Sequence, residues 1–127
     1  MNILIILFIL FFGSLVPLLM LFMGIGFKKN PPCDVGGLGY KTELSCKNED
    51  TWLTAQQITG EVWAKTGAVM EAVSLAVLIT ASLFLSGDPL LIFLAAVTMV
   101  QAGILVFTIV VIEGRLRKIF DENGDRR

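Results

Sequence analysis

The sequence predicts an all-α integral membrane protein with three transmembrane helices and a short amphipathic interfacial helix between the first and second. Three observations carry this. The 127 residues are 55% hydrophobic and only 17% charged, too apolar for a soluble domain of this length. The apolar residues fall in runs long enough to span a bilayer, which takes about 20 residues in a helix. The ten basic residues sit in two blocks, 28–65 and 115–127, with none between.

Residues 3–27 contain no charge and as a helix extend roughly 37 Å at 1.5 Å per residue. A secretory signal peptide is the rival reading. It fits poorly, because Met1-Asn2 is a minimal leader region, the apolar run is too long, and no A-x-A site follows. The run therefore reads as a retained span. Pro17, with Gly13 and Ser14 one turn before it, predicts a kink.

Lys28-Lys29 mark the bilayer edge, and Asn30-Pro31-Pro32 stops the helix. Gly36, Gly37 and Gly39 form a turn-rich approach to a polar stretch, Gly39 to Trp52. Asn48 is a good helix cap, and Glu49 and Asp50 place negative charge on the positive end of the helix dipole. Trp52, Ala55, Ile58/Thr59 and Val62/Trp63 then recur at helical spacing, with Gln57, Glu61 and Lys65 on the polar side. This pattern predicts an amphipathic helix in the headgroup region, anchored by Trp52 and Trp63.

Residues 66–86 form the second span, which the pattern leaves either separate from the amphipathic helix or continuous with it. Ala68, Ala72, Ala76 and Thr80 recur every fourth residue, a stripe on which another backbone could approach closely. Gly87-Asp88-Pro89 is a tight turn, and residues 90–112 form the third span, with Ala95, Ala96, Ala102 and Gly103 as its small residues. No internal repeat divides the chain, so 1–127 reads as one membrane domain. Residues 113–127 form a polar tail.

Topology follows from positive charge. The 28–65 loop holds five lysines, and the tail holds Arg115, Arg117, Lys118, Arg126 and Arg127. Three spans put loop and tail on one side, and the positive-inside rule makes that side cytoplasmic, with the N-terminus outside. Cys33 and Cys46, the only thiols, then face a reducing compartment and are expected to be free.

The chemistry is narrow. A net charge of −1 gives no field for nucleic acid. With no histidine and two thiols the chain lacks the usual general base and a four-ligand zinc set. The ending D-E-N-G-D misplaces the glycine of a calcium loop and lacks its final glutamate. No enzyme, metal or cofactor is expected. Two polar residues within the spans stand out. Glu71 lies about one turn inside the second span, where a carboxylate is costly and so a functional suspect; pairing with Lys65 or Lys118 is the bland alternative. Gln101, central in the third span, suits interhelical hydrogen bonding.

The polar stretch exceeds the needs of a connector, because lysines alone would fix topology. G-Y-K-T-E-L-S-C-K-N-E-D-T-W-L-T-A followed by Gly60 resembles the signature of the SdpI family, bacterial membrane proteins named for a toxin-immunity protein. That pattern reads approximately G-Y-R-T-x-x-S-M-K-N-x-x-x-W-x-x-A-x-x-x-x-G. The tail E-G-R-L-R-K-I-F-D-E-N-G-D-R-R is similar to the family's ending. Lys41 stands in place of the usual arginine and loses its bidentate fork, and Cys46 stands in place of methionine. The resemblance implies binding rather than catalysis: immunity to a secreted membrane-active toxin, and sequestration of a cytosolic transcriptional repressor, as in the founding member. Tyr40, Lys41, Thr42, Ser45, Lys47, Asn48, Glu49 and Trp52 would then form the cytoplasmic partner-binding motif in a bacterial inner membrane. Two other classes stand beside it. One is a small transporter or channel subunit in which Glu71 and Gln101 line a pathway between helices of a homo-oligomer. The other is a scaffold without a ligand, which would tolerate scrambling of the loop.

Overall fold

The apolar runs all become helix. The computed structural model describes residues 3–32 and 35–127, so Cys33 and the expectation about its thiol lie outside the described residues. The four helices are α1 (Ile3–Gly13), α2 (Leu15–Lys29), α3 (Glu49–Phe84) and α4 (Asp88–Ile119). Helices α3 and α4 are each long and apolar enough to cross a bilayer, and α1 with α2 qualifies when the bent pair is counted as one. Outward-facing side chains include Phe11, Phe22, Val69, Leu83, Ile92, Met99 and Phe107, while Ser14, Gln56, Ser74, Gln101 and Thr108 are buried. Apolar outside and polar inside is the pattern of a protein whose solvent is lipid.

Helices α1 and α2 meet at 45°. The bend falls at Ser14 because Pro17 has no N–H to give Gly13 O, four residues earlier, and its ring crowds that carbonyl. The kink expected around Pro17 is therefore present.

Helix α3 settles the question left open by the pattern. It runs unbroken for 36 residues, so the amphipathic segment is the first half of one continuous helix and not a separate element. Nothing between Trp63 and Gly67 interrupts it, and an interior glycine costs only about 1 kcal/mol. Helix α4 likewise passes the expected end at 112 and continues to Ile119.

The small residues that bring helices together are not those of the expected stripe. Ala68, Ala72, Ala76 and Thr80 are exposed, as are Ala95, Ala96, Ala102 and Gly103. The close contact is α2 on α3, where a Cβ on Gly60 would lie 2.9 Å from Gly24 O and one on Gly67 would lie 2.8 Å from Pro17 O. Backbones meet there because hydrogen replaces a side chain, the way membrane helices pack without a hydrophobic drive. Two apolar clusters flank this contact. One, around Ile9, Leu78, Leu90 and Leu94, sits at the α3–α4 turn; the other, around Tyr40, Ala55, Ile112, Leu116 and Phe120, sits at the loop end.

Candidate functional site

At the loop end the polar stretch folds back on α3 and α4 as a clasp. Gln56 holds its centre. Tyr40 N–H donates to Gln56 Oε1 at 2.7 Å, and Gln56 Nε2 donates to Tyr40 O at 2.7 Å. One buried amide thus replaces the strand partner that this extended backbone lacks. The Tyr40 hydroxyl reaches α4 and donates to Glu113 Oε2 at 2.8 Å. Burial, reinforced by the Glu113 carboxylate, pushes the Tyr40 phenol well above its ordinary range.

The remaining hydroxyls tie the loop to itself. Thr42 N–H donates to Ser45 Oγ at 2.7 Å, and Ser45 N–H donates to Thr42 Oγ1 at 3.2 Å. Asn48 caps α3 as its sequence predicts: Thr51 N–H donates to Asn48 Oδ1 at 2.9 Å. Thr51 completes the box by accepting from Asn48 N–H at 3.0 Å. Trp52 is fully buried and donates from Nε1 to Pro32 O at 2.8 Å. It is a pillar under the loop rather than the interfacial anchor expected of it. Trp63 donates to Thr108 Oγ1 at 3.1 Å and stacks on Phe27 with centroids 6.4 Å apart.

The tail closes over the same place. Asn48 Nδ2 donates to Gly124 O at 2.9 Å. Gly124 has φ +85°, and a Cβ there would lie 2.8 Å from Asn48 Nδ2, so the turn needs glycine twice over. Arg126 donates from Nε and Nη2 to the two Asp50 oxygens, each at 2.8 Å, and its guanidinium lies 5.0 Å from the Phe120 ring centroid. The hydrogen bonds from Arg126 hold the Asp50 carboxyl below the usual carboxylate range. A cleft of about 530 Å³ between loop and tail is lined by Leu44, Lys47, Glu113, Arg117, Asp121 and Arg127.

The eight motif residues therefore divide. Tyr40, Ser45 and Trp52 face inward, Thr42 and Asn48 are half-buried, and Lys41, Lys47 and Glu49 face outward. Sequence reading passed over Gln56, Thr51 and Glu113, on which the clasp hangs. The signal for Gln56 was its place beside Ala55 on the apolar stripe, where an amide must find a partner.

The two polar residues of the spans meet at the α1–α2 break. Gln101, 2% exposed, donates from Nε2 to Gly13 O at 2.7 Å and to Ser74 Oγ at 2.8 Å. It satisfies the carbonyl that Pro17 leaves without a donor. Glu71 pairs with neither Lys65 nor Lys118. It accepts from Ser14 Oγ at 2.7 Å, while its Oε2 and Gln101 Oε1 are buried without a hydrogen-bond partner. Beside this cluster an apolar groove of about 820 Å³ runs between α3 and α4, walled by Val69, Val73, Val77, Val97 and Val100, with Gln101 on its lining. Among the described residues no group of three or more His, Cys, Asp or Glu could hold a metal ion.

Among the described residues, neither the clasp nor the break pairs a nucleophile with a base. The model of the SdpI/YfhL protein family matches residues 36–112, well over half the chain, from the start of the clasp to the last turns of α4 before Glu113. No curated protein and no solved structure matches.

Proposed function

We propose that this chain, which belongs to the SdpI/YfhL protein family, is an immunity protein of the bacterial cytoplasmic membrane that protects against a secreted membrane-active toxin. Its 127 residues act as one unit of three spans, the bent α1–α2 pair being the first. The N-terminus is outside, and the loop and tail are cytoplasmic, where all ten basic residues gather. The observation that carries the reading is the clasp. A connector needs no fixed shape, whereas this loop is bound to α3, α4 and the tail by buried hydrogen bonds.

In this reading Tyr40, Thr42, Ser45, Asn48 and Trp52 set the shape of the loop, and Lys41, Lys47 and Glu49 present its outer face to a cytosolic partner such as a transcriptional repressor. The toxin is met from within the bilayer, and the state of the helices is reported at the loop. The test is survival of a toxin-sensitive bacterium expressing the chain and challenged with a membrane-active toxin encoded beside its gene. Protection that Lys41→Ala/Lys47→Ala leaves intact, but that loses repressor capture, separates the two roles. Killing unchanged by expression of the wild type counts against immunity.

A further inference from the structure

Glu71 brings a carboxylate to membrane depth with no cation to meet it. Residues 3–27 carry no charge, residues 66–87 carry none besides Glu71, and residues 89–112 carry none. Ser14 from the α1–α2 break donates to it, and Ser74, one turn along α3 from Glu71, accepts from Gln101 of α4. The ion pairs among the described residues, Lys47–Glu43, Arg115–Glu61, Arg117–Glu113 and Arg126–Asp50, all lie at the loop end. Lys65, the nearest basic residue along α3, is exposed.

The two unpartnered oxygens belong to one cluster. Glu71 is held by Ser14 and Gln101 by Gly13, consecutive residues of the break. Both Glu71 Oε2 and Gln101 Oε1 are acceptors, so neither can satisfy the other. The Gln101 amide is fixed in this sense because its nitrogen must face Gly13 O. What each of these two oxygens lacks is a donor or a positive charge.

We propose that Ser14, Glu71, Ser74 and Gln101 form an intramembrane site for one monovalent cation, an alkali-metal ion or a proton. The ligand set is all hard oxygen, which suits ions of this kind. One carboxylate neutralises one unit of charge and leaves the occupied site neutral, as hydrocarbon surroundings require. A divalent ion would leave a surplus charge. Backbone broken at membrane depth and buried against other helices is where such sites are built.

The experiment measures thermal unfolding of the purified full chain in detergent, in NaCl, KCl and choline chloride at constant ionic strength, and in choline chloride over a falling pH series. The wild type should show a midpoint that climbs with the logarithm of cation concentration once the site begins to fill, by about 5 °C over the series. A response to Na⁺ or K⁺ at fixed pH identifies the metal ion, and a response to acid in choline identifies the proton. Glu71→Gln, which supplies its own donor and removes the charge, should abolish the response. Gln101→Leu should move the onset of that rise to about tenfold higher cation concentration, the value of one neutral oxygen contact of about 1.4 kcal/mol. A midpoint indifferent to all three salts and to pH overturns the proposal, whether or not Glu71→Gln folds. So does a response that Glu71→Gln or Gln101→Leu retains unchanged.

Discussion

Replacing Gln56 by leucine tests the clasp directly. Leucine has a similar volume and helix propensity, so α3 should persist. The change removes both hydrogen bonds to Tyr40, each 2.7 Å long. Each contributes about 0.5–1.5 kcal/mol net, and a buried N–H left without an acceptor costs about 1–3 kcal/mol. The carbonyl has a fallback in Ser45 Oγ at 3.5 Å, so the loss should total about 2–4 kcal/mol. At 1.36 kcal/mol per tenfold, loop opening should become roughly 30- to 900-fold more frequent. Hydrogen exchange at the Tyr40 amide reads that population, because exchange passes through local opening. Gln57→Leu, on the exposed neighbouring residue, is the control and should leave exchange unchanged. Tyr40 protection equal in Gln56→Leu and the wild type, with α3 still helical, would refute the reasoning.

Four further outcomes are expected. Gly67→Leu forces a side chain against Pro17 O and Leu21 N and should lower the thermal midpoint by several degrees, about 2–4 °C per kcal/mol lost, whereas Gly103→Leu on the open face should not. Tyr40 is the sole tyrosine, so alkaline ultraviolet titration reports it alone, and ionisation should begin only well above the ordinary phenol value of about 10. Its folded value is raised, so its contribution to stability is complete below that ordinary value and is lost as pH rises through the folded one. Asp50 has the opposite sign: its pairing with Arg126 is complete above the usual carboxylate range and is lost as pH falls through the depressed folded value. Protection of the Arg127 amide, bonded to Ile119 O, taken relative to its intrinsic exchange rate at each pH, should fall with acid, and Asp50→Asn should remove that dependence. Cys46 is free and half-buried; an impermeant maleimide should label it in permeabilised cells and spare it in intact ones, and labelling in intact cells would reverse the orientation.

The membrane class, the kink and the Asn48 cap were legible because each rests on local chemistry: uncharged length, a missing N–H at Pro17, and an amide before two acids. The merger of interfacial helix and second span was only an open alternative, because nothing local decides between one helix and two, and the packing of α2 on Gly60 and Gly67 is a property of the fold. The stripe of Ala68, Ala72, Ala76 and Thr80 misled for the same reason, since spacing shows that a face is smooth but not which neighbour meets it. Trp52 looked amphipathic, and only Pro32 O, 20 residues back, explains why its N–H can be buried. Glu71 and Gln101 were legible as polar residues out of place; that they converge on Gly13 and Ser14 required the fold.

Helix α3 is about 54 Å long at 1.5 Å per residue, against a hydrocarbon thickness of about 30 Å. Its two interior glycines are pinned by α2, so it has no loose joint along its length. Gln56 and Glu71 lie fifteen residues apart on this one shaft, about 22 Å. A roll or slide that accommodates something at Glu71 must carry Gln56 with it, and Gln56 grips the backbone of Tyr40. Were α3 to move as one body, displacement at membrane depth and displacement of the loop would be a single mechanical coordinate, read at two ends of a rod.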